Sequence, residues 1–218
     1  MCRIVYVIVE GQTEEQFIKK ILFNYFLEFQ IYFKPIIIET SRTPHQKHKG
    51  GFVNYNHIKR DIQKVIKNSD CYKVTTLVDF YKIPSNFPGK ENMPSGNIYE
   101  KVHYLEDCWS NDINDSKFIP YIQIHEFEAL LFSDIIGFEE VFPNKKEKFL
   151  EIILRYPNPE LINDDPETAP SKRIESILKP NKYSKPLHGI DIAEIIGIEK
   201  MREKCPHFRE WIDKLKNS

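Results

Sequence analysis

Five acidic residues lie where predicted β-strands end, and this position points to shared chemistry. Glu10 closes the first apolar run and Glu14 follows it, Asp79 closes a later run, and Glu126 and Glu128 lie just beyond another. The carboxyl ends of parallel strands meet at one edge of a sheet, so these side chains should be neighbours. Clustered carboxylates repel one another unless a cation neutralises them, and oxygen ligands suit Mg²⁺ or Mn²⁺. The sequence therefore predicts a divalent-metal site.

A simpler interpretation of the same acids stays open. Hydrophilic residues are common in the loops that follow strands, and Glu14 and Glu15 would also suit the positive end of a helix. One such acid would favour this simpler interpretation. Acids at three strand ends favour the metal site.

The elements that must position these acids begin with a strand and a helix. Residues 4–9 are apolar on both faces, as in a strand buried in the middle of a sheet. Thr13 and Gln16 have the spacing of a capping box at the start of a helix. Apolar residues then recur at helical spacing: Phe17, Ile18, Ile21, Leu22, Tyr25 and Phe29.

The strand–helix alternation continues through the first two thirds of the chain. Strands are predicted over residues 35–40, 72–78 and 118–124, and helices over 52–68 and 98–109. This order predicts an α/β fold with a mostly parallel sheet flanked by helices. Residues 1–135 would form this core, and residues 136–218 a helical C-terminal extension packed on it. The predicted helices of the extension are 145–155, 171–178, 192–204 and 206–216.

Composition narrows the class of protein. With 218 residues, 41% of them hydrophobic, and with 15 Phe and 11 Tyr, the chain can bury a substantial core. A net charge of −1 gives no overall attraction to nucleic acid or to an anionic membrane. The four cysteines form no C-x-x-C pair, and no secretory signal or run of about 20 apolar residues is present. We therefore expect a cytoplasmic protein.

Several segments of the chain resemble known proteins. Residues 9–14 (VEGQTE) resemble the opening motif of Toprim domains, especially those of OLD-type (overcoming lysogenization defect) nucleases. The whole chain is similar to a widespread bacterial family of Toprim-like proteins of unknown function, whose members often occur beside an ATPase, as in defence-type operons. The resembling segments are residues 78–81, 87–89, 120–132, 169–173, 188–189 and 205–208.

This resemblance implies a Toprim-like core and Mg²⁺-dependent phosphodiester chemistry. Glu10 and Asp79 would hold one metal ion, and Glu14 with Glu126 or Glu128 would hold a second. Two such ions, about 3.5–4 Å apart, activate water and stabilise the leaving oxygen.

The resemblance also implies a catalytic lysine and exposes one departure. Lys172 would join Glu10 and Asp79 as a catalytic residue by placing positive charge near the transition state. Toprim proteins usually carry Asp-x-Asp, but the second acid is replaced here by Tyr81. The loss of this acid would weaken the binding of the second metal ion, leave a one-metal enzyme, or mark a site that binds its ligand without cleaving it.

Two basic segments are candidates for phosphate or nucleic-acid binding. Arg42, Lys47 and Lys49 belong to a basic loop that would follow a phosphate backbone, although such loops are more often simply solvated. Arg173 lies with Lys172 at the start of a predicted helix, where an anion would also meet free backbone N–H groups. An ordinary helix start with exposed charges is the alternative.

Three functions fit these patterns. The first is a metal-dependent nuclease that acts as an effector with an ATPase partner. The second is a non-catalytic Toprim-like module that docks on such a partner, which the near-zero net charge and Tyr81 favour. The third is hydrolysis or transfer on a small phosphorylated ligand, with residues 82–96 as a lid.

Overall fold

A parallel sheet forms the centre of the protein. The computed structural model describes residues 3–38, 54–162 and 168–218. The sheet order is β2-β1-β3-β4, and β5 also pairs with β3. All pairings are parallel, which confirms the predicted α/β fold. The strands are β1 (Arg3–Val9), β2 (Ile31–Ile37), β3 (Cys71–Asp79), β4 (Phe118–Ile119) and β5 (Ile122–Gln123).

Helices cover both faces of the sheet and form the C-terminal third of the chain. The first helical segment runs without a break from α1 through a π-turn, Ile18–Leu22, into α2. No helix in the described ranges is both long and apolar enough to span a lipid bilayer. The helices are α1 (Gln12–Phe17), α2 (Phe23–Phe26), α3 (Tyr55–Ile66), α4 (Ile98–Ile113), α5 (Ile135–Val141), α6 (Lys146–Arg155), α7 (Pro170–Leu178), α8 (Ile190–Lys204) and α9 (Pro206–Lys216).

Successive side chains of β1 point to opposite faces of the sheet and so contribute to two separate hydrophobic cores. Val5, Val7 and Val9 face a core shared with α1 and the C-terminal helices, whereas Tyr6 and Ile8 face a core shared with α3 and α4. Because both faces of β1 are covered, its near-continuous apolar sequence is the pattern expected of a central parallel strand.

Two predictions near the N-terminus need correction. The first helix begins at Gln12 after Gly11, and no side chain caps it, so the capping box predicted at Thr13 is wrong. Thr13 is instead buried inside α1. The second strand begins at Ile31 rather than at Pro35, which lies inside it. A proline is tolerated there because β2 is an edge strand, where a missing N–H breaks no ladder.

The predicted fourth strand is divided into β4 and β5. Pro120 lies at the break and has no backbone N–H to donate. The hydroxyl of Thr76 in β3 bridges the gap, accepting from the N–H of Tyr121 and donating to its carbonyl, each at 2.9 Å. The interruption redirects the chain just before Glu126 and Glu128.

The C-terminal helices pack directly on the sheet. The indole N–H of Trp211 in α9 donates to the Thr75 hydroxyl of β3 at 2.8 Å. The same ring stacks on Tyr121, with centroids 4.2 Å apart. Helix α8 bends at Gly197, whose φ of 75° is a conformation that favours glycine. These contacts hold the C-terminal third against the sheet.

Candidate metal centre

Glu10 and Asp79 meet where the strand order reverses. Because β1 lies between β2 and β3, the ends of β1 and β3 form the crevice in which open α/β sheets bind ligands. The backbone N–H of Asp79 donates to Oε1 of Glu10 at 2.7 Å. Glu14 lies in the first turn of α1, with its carboxylate over Gly11, where a β-carbon would approach within 3.3 Å.

Glu126 and Glu128 reach the same edge from the segment after β5. The backbone N–H of Phe127, between them, donates to Oδ1 of Asp79 at 3.2 Å. Oε1 of Glu126 accepts from the N–H of Ser171 at 2.6 Å, at the start of α7. Three strand ends therefore deliver buried acids to one place, as the sequence predicted; we call them the strand-end cluster. Its members are Glu10, Glu14, Asp79, Glu126 and Glu128.

Two lysines divide most of this cluster into pairs. The Lys82 ammonium lies 3.0 Å from Oδ2 of Asp79 and 3.0 Å from Oε2 of Glu10. The contact with Glu10 is an ion pair whose geometry does not meet that of a hydrogen bond. The Lys185 ammonium lies 2.9 Å from Oε2 of Glu128 and 3.2 Å from Oε2 of Glu126. Each ammonium therefore occupies a position where one cation is shared by two carboxylates.

Neither lysine was predicted as a site residue from the sequence. Lys82 follows Asp79 by one 3-10 turn, so its proximity could have been inferred from spacing alone. Lys185 lies in a π-turn, Lys185–Gly189, that only the tertiary fold brings to the cluster. Both side chains remain partly exposed, at 48% and 38%, so each reaches the buried acids from the solvent side.

Burial controls the protonation of these acids. It raises the pKa of Glu10 to about 8, with the charge of Asp79 adding to the effect and Lys82 opposing it. Burial also raises the pKa of Glu128 to about 8, against the influence of Lys185. The pKa values of Glu14 and Asp79 are raised by burial as well. Burial alone would lower the pKa of Lys82, but Asp79 and Glu10 raise it overall.

The donor set fits hard divalent cations. All five groups are carboxylates, and Oε1 of Glu128 is buried without a hydrogen-bond partner. However, in the described part of the chain no three of these acids place oxygens all within 4.8 Å of one another. A bound cation would therefore displace a lysine ammonium and draw the carboxylates closer. The exposed stems of Lys82 and Lys185 leave room for that movement.

Other predicted site residues lie elsewhere. The Lys172 side chain is 56% exposed, and its ammonium pairs with Glu175 on its own helix at 2.9 Å. Arg173 donates to the backbone carbonyls of Thr168 and Ile162. The start of α7, predicted to hold a phosphate, receives the carboxylate of Glu126 instead. The basic loop residues Arg42, Lys47 and Lys49 lie outside the described residues.

A cleft of about 330 Å³ opens beside the cluster. Its lining includes Tyr81, His125 and Lys101. Tyr81 and His125 place their rings 5.3 Å apart, and His125 has a positive φ of 61°. Such a conformation is uncommon for a non-glycine residue and often occurs at functional sites. Tyr81, predicted from the Toprim resemblance to replace a second acid, thus lines the cleft.

The segment over residues 82–96 is anchored rather than open. Phe87 is buried against Tyr55 and Trp109, with ring centroids 5.3 and 4.9 Å away. Gly89 adopts a φ of 78° and packs so closely on Cys108 that a β-carbon would clash with its sulfur. Movement of this segment as a lid would have to break these contacts.

One family matches the chain. The family described as Domain of unknown function (DUF4276) matches residues 9–216. Neither a curated protein nor a solved structure gives a significant match. The family description assigns no activity, so a function has to be argued from the site itself.

Proposed function

The chain belongs to the DUF4276 family, and we propose that it is a Mg²⁺- or Mn²⁺-dependent nuclease that hydrolyses phosphodiester bonds. The observation that carries this proposal is the arrangement of four buried carboxylates in two pairs, each around one ammonium. Two neighbouring cation positions at a sheet switch point suit phosphoryl chemistry. The relation to Toprim domains is part of the same proposal.

The acids of the strand-end cluster would bind the cations, and the two lysines would stabilise the phosphate. Glu10 and Asp79 would hold the first cation, and Glu126 and Glu128 the second, with Glu14 between the pairs. Bound Mg²⁺ supplies positive charge to a phosphate and lowers the pKa of a water molecule. Lys82 and Lys185, once displaced, would remain within reach of a phosphate oxygen and balance the charge that develops on it.

Context from the sequence completes the proposal. A net charge of −1 implies that nucleic acid is recognised by a local surface rather than by the whole molecule. The three cysteines in the described ranges are free, which suits a cytoplasmic location. An ATPase partner, suggested by the family resemblance, would then control when the nuclease acts.

A small phosphorylated ligand is the second candidate substrate. The cleft lined by Tyr81, His125 and Lys101 favours it, because its volume suits one nucleotide rather than a polymer. Tyr81 would stack on a base, and Lys101 would pair with a phosphate.

A cleavage assay tests the nuclease. Purified protein is incubated with single- and double-stranded DNA and RNA, with Mg²⁺, Mn²⁺ or EDTA. We expect metal-dependent cleavage that falls by at least about a hundredfold in Asp79→Asn, since even second-shell changes at metal sites cost about 10–100-fold. Glu203→Gln, which alters an exposed acid on α8, is the matched control and should retain full activity.

The outcomes separate the candidates. Cleavage that is insensitive to EDTA, or equal in Asp79→Asn and wild type, would contradict the proposal. Release of phosphate from nucleotides without polymer cleavage would select the small-ligand enzyme. Metal binding without any hydrolysis would select the non-catalytic module that docks on an ATPase.

A further inference from the structure

A second group of metal-ligand side chains lies apart from the strand-end cluster. His103 in α4 and His207 and Glu210 in α9 place one ligand atom each within 4.8 Å of the others. Nε2 of His103 lies 3.3 Å from Nδ1 of His207 and 3.1 Å from Oε2 of Glu210. This trio shares no residue with the strand-end cluster.

The ring of His207 is oriented by buried partners. Its Nε2 faces two acceptors, Oε1 of Glu106 at 3.0 Å and the carbonyl of Ile122 at 3.2 Å. Because a carbonyl and a carboxylate can only accept a hydrogen bond, Nε2 carries the proton that bonds to these acceptors. Tyr121 stacks on the imidazole with centroids 5.0 Å apart and fixes its plane.

This arrangement is typical of a metal-binding histidine. The neutral tautomer with a proton on Nε2 leaves the lone pair of Nδ1 pointing at His103. A carboxylate on the second ring nitrogen is the usual outer partner of a metal-bound imidazole. Glu106 therefore positions the ring of His207, whose Nδ1 is the candidate ligand atom.

The distances fit a tetrahedral transition metal. Zinc–nitrogen bonds of about 2.0–2.1 Å separate two ligands of a tetrahedral ion by about 3.3 Å. The His103–His207 and His103–Glu210 separations of 3.3 and 3.1 Å are close to this value. Mg²⁺ prefers oxygen ligands, so the two imidazoles select against it.

His103 and Glu210 line a cleft of about 630 Å³. His103 and Glu210 are 41% and 48% exposed, so an ion can enter from the solvent, while His207 is buried. Ser110 and Lys214 line the same cleft. Three protein ligands with an open side leave a fourth coordination position for water or a small anion.

We propose that His103, His207 and Glu210 form a binding site for Zn²⁺, with Glu106 orienting His207 and the fourth position open to the cleft. The ion would link α4 to α9 and thereby fasten the last helix to the α/β core. The competing occupant is a proton network, in which His103 and His207 share hydrogen bonds with Glu210 and no metal binds.

Titration with Co²⁺, a coloured substitute for Zn²⁺, distinguishes the metal site from the proton network. We expect one equivalent of Co²⁺ to produce the visible absorption bands of a nitrogen-ligated, low-coordinate ion, and excess Zn²⁺ to remove them. His103→Ala should weaken binding by at least about a hundredfold, since even second-shell changes cost about 10–100-fold. Glu210→Gln should weaken it to a smaller extent. Both altered residues are half-exposed, so the fold should survive, as circular dichroism would verify.

Two controls locate the ion. His57→Ala removes a histidine of α3 outside the trio, and Asp79→Asn alters the strand-end cluster; both should keep the bands of the nitrogen-ligated ion, because Co²⁺ held by carboxylates alone absorbs only weakly. Absence of bands in wild type, or equal affinity in His103→Ala and wild type, would overturn the proposal. Loss of the bands in Asp79→Asn would also overturn it, by assigning the absorbing ion to the strand-end cluster.

Discussion

Glu160 and the strand-end cluster are both buried, yet their partners differ in kind. Glu160 is 0% exposed and accepts from the backbone N–H groups of His207 and Phe208, at 3.0 and 2.9 Å, and from the Tyr99 hydroxyl at 3.0 Å. It therefore satisfies the free N–H groups at the start of α9. Three acids of the strand-end cluster also accept backbone N–H groups, but four of its acids pair in addition with the ammonium groups of two partly exposed lysines.

This difference teaches how to interpret a buried acid. Glu160 is fixed by groups that cannot leave without unfolding the helix start. Lys82 and Lys185 are attached by long, partly exposed stems, and a cation in solution can replace them. Burial of an acid alone does not indicate a functional site, whereas buried acids held by replaceable cations do.

The largest expected effect is on stability at Glu160. Glu160→Ala leaves two buried backbone N–H groups and one hydroxyl without an acceptor, so we expect the free energy of unfolding to fall by about 3 kcal/mol. Chemical denaturation measures this change in the free energy of unfolding. Asp79→Asn is the comparison: it removes a charge from a crowded cluster and should cost much less. If Asp79→Asn were the more destabilising change, the distinction between the two regions would fail.

A change of pH is expected to have a smaller effect on the stability of the folded state. Because the pKa values of Glu10 and Glu128 rise to about 8 from an ordinary 4.5, the folded state binds more protons than the unfolded state between these values. The stability contributed by protonation is complete below pH 4.5 and is lost as the pH rises towards 8. Mg²⁺ should reduce this loss, since it neutralises the carboxylates that lose protons.

Thermal melting across this pH range, with EDTA and with Mg²⁺, measures the effect. Glu160 has a raised pKa through burial, opposed by the N–H groups of His207 and Phe208, and Mg²⁺ should not alter its contribution. Identical pH profiles with and without Mg²⁺ would count against a cation site in the strand-end cluster.

Much of the fold could be predicted from the sequence because its signals are local. The β-branched runs of β1 and β3 and the apolar spacing of α3 identify the alternation of strands and helices. Pro120 is a local sign that the predicted fourth strand is interrupted. The hydrogen bonds of the Thr76 hydroxyl across this interruption cannot be predicted locally, because they depend on β3 lying alongside. The start of α1 was misjudged because Thr13 has the chemistry of a cap but is buried.

The candidate site was only partly predictable for the same reason. Acids at strand ends follow from topology, and Glu10 and Asp79 were found on that basis. Lys185 could not be found, since no local pattern places it near Glu128. Lys172 was chosen by resemblance, but its ammonium pairs with Glu175. Contacts between distant segments determine these partners, and periodicity carries no information about them.

Calorimetric titration with Mg²⁺ tests the central claim most directly. Wild type, Asp79→Asn and Glu160→Gln are compared at a temperature where circular dichroism shows all three to be folded. We predict that wild type and Glu160→Gln bind Mg²⁺ alike and that Asp79→Asn loses binding, because only the strand-end cluster can exchange its lysines for a metal. Equal Mg²⁺ binding by wild type and Asp79→Asn, or no binding by wild type, would contradict the claim.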